Sequence, residues 1–243
     1  MDVSKIFDAL NDAQREAVGA TPGPMLVLAG AGSGKTRVLT YRIAYLVQAL
    51  QASPYSILAV TFTNKAASEM RRRIEDFLGF SVRGMWIGTF HGLSHRLLRD
   101  HHELAGLPSG FEILDSDDQY RVIRRALREM NLDEEHWPPR QVQWFINSQK
   151  EEGRRSAALH GTGDAHQQTL IRVYTHYEET CKRLGLVDFA ELLLSALELL
   201  EQNQSLRENY QQRFQHVLVD EFQDSNTIQY RWLKCLALAH GQI

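Results

Sequence analysis

Two hydrophobic patterns take turns along this chain. Met25-Leu-Val-Leu28, Ile57-Leu-Ala-Val-Thr-Phe62, Gly84-Met-Trp-Ile-Gly-Thr-Phe90 and His216-Val-Leu-Val219 are short apolar runs. Such runs suit strands covered on both faces. Between the first three the spacing becomes helical, from Arg37 to about Gln48 and from Lys65 to about Leu78, the latter capped by Thr63-Asn64. A short helix over Asn11–Val18 comes before them, with Asn11 and Gln14 at the spacing of a capping box. Thr21-Pro-Gly-Pro24 turns the chain into the first run. Strands alternating with helix-length spacers predict right-handed crossovers and a parallel sheet, which is the α/β class.

From His91 to Phe214 the pattern is mostly helical. Tyr120, Ile123, Leu127 and Met130 recur at helical spacing behind Ser116-Asp-Asp-Gln119, which reads as a capping box. Pro138-Pro139 starts another helix, carrying Val142, Phe145 and Ile146. Glu151 to Gln168 is polar and reads as a loop. Leu170, Val173, Tyr174, Tyr177, Cys181 and Leu184 trace one helix face, which Gly185 stops. Asp188-Phe-Ala-Glu191 is a further box, ahead of Leu192-Leu-Leu194. His216–Val219 then resumes the sheet, and Asp224-Ser225 caps a last helix from Ile228 to about Ala239. The expected domains are therefore a core over 1–90, an inserted helical domain over 91–212, and a second, truncated part of the core over 213–243.

Chemistry enters at the end of the first apolar run. Ala29-Gly-Ala-Gly-Ser-Gly-Lys-Thr36 lies between a strand and a helix, the layout of a phosphate-binding loop. The backbone N–H groups of Gly30, Ala31, Gly32, Ser33 and Gly34 can cradle an anion, and the helix start adds partial positive charge. Lys35 reaches the β- and γ-phosphates, and the Thr36 hydroxyl ligates Mg²⁺. Ala29 stands where the usual pattern has its first glycine. A phosphate loop needs a carboxylate at a neighbouring strand end to hold Mg²⁺, and Asp220 has that placement. Glu221 beside it can orient the attacking water or accept its proton. The expected chemistry is Mg²⁺-dependent nucleoside triphosphate hydrolysis. A kinase or other P-loop transferase remains an alternative on these residues.

Composition changes this picture little. The 243 residues are 43% hydrophobic and 23% charged, with a net charge of −3, so bulk charge gives no sign of nucleic acid. Any DNA contact has to come from local patches or stacking. Cys181 and Cys235 show no CxxC spacing, so a reduced, cytoplasmic protein is expected, and no apolar stretch reads as a signal peptide or membrane span. His91 and His95 are four apart and His101-His102 follow, but no HExxH accompanies them, so they read as ordinary histidines and not as metal ligands.

Six segments together carry a resemblance. Leu10-Asn-x-x-Gln14, Ala29–Thr36, Thr61-Phe-Thr-Asn-Lys-Ala-Ala67, Gly88-Thr-Phe-His91, Gly185-Leu-Val-Asp-Phe189 and Val219-Asp-Glu-Phe-Gln-Asp224 resemble the ordered motifs of superfamily 1 DNA helicases of the UvrD/Rep/PcrA type. Met1–Ser4, Gly84–His95 and Asn131–Arg140 are most similar to the UvrD branch. The resemblance implies a P-loop, RecA-like core (1A) with a helical insertion (1B), using ATP and Mg²⁺. It implies that Gln14 hydrogen-bonds adenine and that Arg37 and Arg73 lie near the nucleotide. Gln223 would link hydrolysis to DNA. Phe62, Thr63, Asn64, Thr89, Phe90 and His91 would line a single-strand path. An aromatic there stacks on a base without reading its identity. The alternative for Phe62 and Phe90 is plain core packing.

The family's activity is 3′→5′ translocation on single-stranded DNA and unwinding at single-strand/duplex junctions, in DNA repair and alongside repair proteins. The arginines that complete such an ATP site come from a second core that follows the first. The chain is therefore expected to be an N-terminal fragment that binds nucleotide weakly and does not unwind DNA alone. The contrasting expectations are a non-motor P-loop enzyme and an inactive binding module.

Overall fold

A computed structural model describes residues 4–30, 32–160 and 164–237. The chain separates into two units. One comprises the residues up to Leu93, Asn203–Ser225, and those from Leu233 onward; the other comprises Ser94–Gln202 and Asn226–Trp232.

The first unit begins with α1 (Ser4–Phe7) and α2 (Asp12–Gly19). Asn11 caps α2 in the reciprocal manner expected: its side chain accepts from Gln14 N at 2.9 Å, and Gln14 Oε1 accepts from Asn11 N at 3.2 Å. Helix α3 (Lys35–Gln48) leaves the glycine loop directly, followed by β1 (Ile57–Thr61), buried at every position. Helix α4 (Asn64–Leu78) starts where Thr63 Oγ1 accepts from Ala66 N at 3.1 Å, a cap worth about 1 kcal/mol. Strand β2 (Trp86–Thr89) pairs with β1 in parallel, Leu58 lying opposite Trp86. Ile43 and Leu46 of α3, Met70 and Ile74 of α4, and Ile57, Ala59 and Ile87 of the strands form one closed apolar cluster.

The second unit takes most of α5 (Phe90–Asp100), then β3 (Glu112–Leu114), α6 (Ser116–Glu129), α7 (Pro139–Glu151), α8 (Ala165–Leu184), β4 (Leu186–Asp188) and α9 (Phe189–Gln202). It is mostly helical. Strands β3 and β4 form a small parallel pair. Ile123, Leu127, Val142, Ile146, Val173, Tyr174 and Tyr177 are its core, on the faces their spacing predicts. Gly185 ends α8 at φ 66°. Two caps differ from expectation. Asp115, not Ser116, caps α6, accepting from the N–H groups of Asp117 and Asp118. Asp188 accepts from Glu191 N at 2.8 Å, but Glu191 turns its carboxylate to Lys150 and Arg155 and does not close the box.

The chain returns to the first unit in α10 (Gln204–Arg213) and β5 (His216–Val219), and α11 (Thr227–Ala237) follows. Asn226 and Gln229 form the reciprocal cap of α11, with Asn226 one residue beyond the expected Asp224-Ser225. The expected end of this helix at Ala239 lies outside the described residues. The sheet order is β2-β1-β5, all parallel, with Leu58 opposite Val217. The Trp86 ring meets those of Tyr210 and Phe214 edge-on at 5.4 and 5.2 Å.

One expected strand is not a strand. Residues 25–28 run without a ladder partner, and Leu26 and Leu28 are 71% and 85% exposed. An apolar run acquires strand structure only when a neighbouring edge accepts its backbone. No such edge adjoins it among the described residues. No described helix is long and apolar enough to cross a membrane.

Candidate functional site

The phosphate loop curls by two left-handed glycines, Gly32 at φ 75° and Gly34 at φ 89°. Both need the freedom that a side chain removes. Ala29 needs none, because its φ is not positive. The departure from the usual pattern therefore falls where a Cβ is tolerated. Ser33 folds back on Gly30 O through its hydroxyl at 2.6 Å. Ala31, expected among the phosphate donors, lies outside the described residues.

Lys35 directs its ammonium into the loop, donating to Ala29 O at 3.2 Å and Gly30 O at 3.4 Å, with the Glu221 carboxylate 3.8 Å away. The Thr36 hydroxyl donates to Asp220 Oδ2 at 3.1 Å, across 184 residues of chain. The two halves of the expected site therefore meet. Asp220 follows the last residue of β5, and its N–H extends the ladder to Val60 O at 2.9 Å. It is 5% exposed, and no described ion pair involves it. Burial pushes its carboxyl above the ordinary aspartate range, against the hydrogen bond from Thr36.

Glu221 holds a left-handed backbone, φ 53° and ψ 43°, uncommon for a residue with a Cβ. This turns the chain sharply after β5. Gln223 Nε2 donates to Glu221 Oε2 at 2.5 Å, so the residue expected to link hydrolysis to DNA touches the expected base. A buried carboxylate without a cationic partner, beside a hydroxyl and a lysine-bearing glycine loop, fits Mg²⁺ and a triphosphate.

Gln14 lies at the loop, donating through Nε2 to Ser33 O at 3.0 Å while its oxygen serves the α2 cap. Arg37 sits over the Tyr41 ring at 5.3 Å, and Arg73 pairs with Glu69 on its own helix. Neither contact reaches the loop. Arg42 escaped the sequence reading. It is 6% exposed and donates to the carbonyls of Val18 and Ala20, tying α2 to α3. Its signal was an arginine among the buried positions Val38, Ile43 and Leu46.

The residues expected along a DNA path gather at the carboxyl end of the same sheet. Phe62 is half-buried and meets the Phe90 ring edge-on at 5.5 Å. Phe90 is 1% exposed and packs against Phe62, which is the more accessible of the two rings. Asn64 is exposed, Thr63 caps α4, and Thr89 Oγ1 accepts from Gly92 N at 3.1 Å. Burial holds the His91 imidazole below its ordinary range, which favours the uncharged ring.

Residues 10–243 match the family model for the UvrD/REP helicase N-terminal domain. The chain belongs to this family. Over its whole length it is 58% identical to DNA helicase II of Escherichia coli K12 and 55% identical to that of Haemophilus influenzae. It is 42% identical to the ATP-dependent DNA helicase PcrA of Leuconostoc citreum over 98% of the chain. The chain spans about a third of the length of these relatives, 34% of DNA helicase II and 32% of PcrA. The expected family and its UvrD branch are thus supported by residues well beyond the six motifs.

Proposed function

We propose that this chain is the nucleotide- and DNA-binding portion of an ATP-driven motor that moves 3′→5′ along single-stranded DNA. The observation that carries this reading is the Thr36–Asp220 hydrogen bond, which joins the phosphate loop to the Asp-Glu pair. Lys35, Thr36 and the loop N–H groups bind the phosphates. Asp220 and Thr36 would hold Mg²⁺, which neutralises phosphate charge when bound. Glu221 accepts a proton from the attacking water, and Gln223 relays its position. Gln14 leaves Ser33 O to meet adenine, and Arg37 and Arg73 turn toward the nucleotide. Phe62 stacks on a base at the same sheet end, and Thr63, Asn64, Thr89 and His91 hold the strand beside it.

The first unit corresponds to core 1A and the second to insertion 1B. The full-length protein acts at single-strand/duplex junctions in the cytoplasm, in DNA repair and with repair proteins. An arginine opposing the γ-phosphate is worth about 10³–10⁵-fold in turnover, and no described hydrogen bond or ion pair brings one to Lys35, Thr36 or Asp220, so these 243 residues by themselves are not expected to unwind DNA. The test compares ATPase rates with and without single-stranded DNA, on this chain and on a version extended to the length of the relatives. The extended protein is expected to be stimulated by DNA, and Lys35→Ala is expected to abolish the stimulation. An extended enzyme that ignores DNA and phosphorylates a small acceptor would be a P-loop transferase instead.

A further inference from the structure

Helix α2 is tied at both ends to the elements that build the phosphate site. At its start, Gln14 Nε2 donates to Ser33 O at 3.0 Å, and a Cβ placed on Gly34 would come within 3.1 Å of the same nitrogen. The Gln14 amide therefore lies directly on the phosphate loop. At its end, Arg42 Nη1 donates to Val18 O at 2.7 Å and to Ala20 O. Arg42 stands on α3, the helix that also carries Lys35 and Thr36.

The Arg42 tie is an unusual use of a charge. Its guanidinium is buried, and no carboxylate pairs with it among the described residues. A buried cation ordinarily has a carboxylate partner. Here the donors go to carbonyls that α2 leaves open. The chain leaves this helix extended, with Ala20 at φ −56° and ψ 148°, so no left-handed turn folds an N–H back onto them. The last turn of α2 has no basic residue of its own, and Arg42 supplies the cation that a helix C-terminus favours. Val18 also packs with Val38 and Ala44, but apolar contact tolerates sliding, whereas directed hydrogen bonds fix the register of α2 on α3.

Register matters for a base-reading amide. Glutamine pairs with adenine through one donor and one acceptor, matching N7 and the N6 amino group. Guanine presents two acceptors at that edge, so the amide oxygen would face another oxygen. Such discrimination holds only while the amide stays within about 0.5 Å of its place. We propose that Arg42 is a positioning residue for base selection. By fixing the end of α2 against α3, it sets where Gln14 stands beside the phosphate loop, and so favours adenine over guanine. This rests on the reading that Gln14 meets adenine. The contacts of Arg42 with Val18, Ala20 and the Tyr45 ring do not reach the phosphate loop, so the grip of Lys35 and Thr36 on the phosphates is independent of it.

Steady-state kinetics of the extended protein test this with Arg42→Lys, which keeps the cation on a shorter stem without the guanidinium fork, and with Gln14→Ala beside it. Inorganic tripolyphosphate has no base, and as a competitive inhibitor it reads the phosphate grip alone. For Arg42→Lys, KM for ATP is expected to rise at least about fivefold with kcat within about twofold, while KM for GTP and tripolyphosphate inhibition stay unchanged. The preference for ATP over GTP falls as it does in Gln14→Ala, and combining the two substitutions lowers it no further. If Gln14→Ala loses the preference and Arg42→Lys keeps it, the proposal is overturned and the adenine reading stands. If Gln14→Ala keeps the preference, that reading is overturned and the proposal falls with it. Weaker binding of ATP, GTP and tripolyphosphate alike in Arg42→Lys also overturns the proposal, because Arg42 would then only hold the fold.

Discussion

Asp188 and Asp220 are both buried aspartates at a strand's carboxyl end, 2% and 5% exposed, yet their surroundings are opposite. Asp188 Oδ2 receives Lys150 Nζ at 2.6 Å, Tyr177 OH at 2.7 Å and Gln119 Nε2 at 3.2 Å, and Oδ1 receives Glu191 N. Lys150 also meets Glu191, which Arg155 in turn shares with Glu178 and Glu198. Burial alone would discharge these groups. The carboxylates nevertheless hold the Lys150 ammonium above its ordinary range, and the two cations hold Glu191 below its own. Asp220 has the Thr36 hydroxyl and the Glu221 N–H as partners and, among the described residues, no cation in contact, and burial raises its pKa. The protein surrounds one carboxylate with cations and donors and leaves the other without a cation in contact among the described residues. The first belongs to the architecture of the helical unit; the second is the one proposed for chemistry.

The largest effect is expected where the satisfied network is broken. Lys150→Met strands two buried carboxylates and should lower unfolding free energy by about 3–5 kcal/mol in urea titrations. A loss below about 1 kcal/mol would mean the network contributes little and the contrast with Asp220 is false. Next comes Lys35→Ala. It should cut ATP turnover of the extended protein by about 10²–10³-fold while shifting the urea midpoint hardly at all, since Lys35 serves only loop carbonyls and Glu221. Phe62→Ala should weaken single-strand binding by roughly 1–3 kcal/mol in a filter or anisotropy titration, with nucleotide affinity unchanged. A purely packing role would instead appear as lost stability.

Smallest of all is the response to pH near neutrality. The Glu191 pKa is depressed in the fold, so its contribution is present above the ordinary 4.5 and is lost as pH falls below it. The Lys150 pKa is raised, so its contribution is present below the ordinary 10.5 and is lost as pH rises beyond it. The difference in unfolding midpoint between the unmodified protein and Lys150→Met should therefore be constant between these limits and shrink outside them. A difference that changes between pH 6 and 8 would contradict that assignment.

The asymmetry between the two aspartates also governs what could be read from the sequence. Gly34-Lys35-Thr36 and an apolar strand ending in Asp220-Glu221 are local patterns with one common chemistry, so their meeting was legible across 184 residues. The Asp188 network was not. Gln119, Lys150, Tyr177 and Glu191 come from four helices, and no local spacing brings them together. Cap positions slipped where several polar residues adjoin, because Asp115 and Ser116, or Asp224, Ser225 and Asn226, compete for nearly equivalent caps. Met25–Leu28 failed as a strand for a different reason. An apolar run specifies that both faces want cover, but a ladder requires an edge that only the rest of the sheet can provide.

Asp220→Asn, measured for both stability and Mg²⁺-dependent nucleotide binding in the extended protein, tests the central claim most directly. Removing a buried, unpaired charge should leave the unfolding free energy within about 0.5 kcal/mol of wild type or raise it, while Mg²⁺-dependent ATP binding and turnover collapse. A variant that loses several kcal/mol of stability yet binds and hydrolyses Mg²⁺-ATP normally would make Asp220 another structural aspartate and would contradict the account.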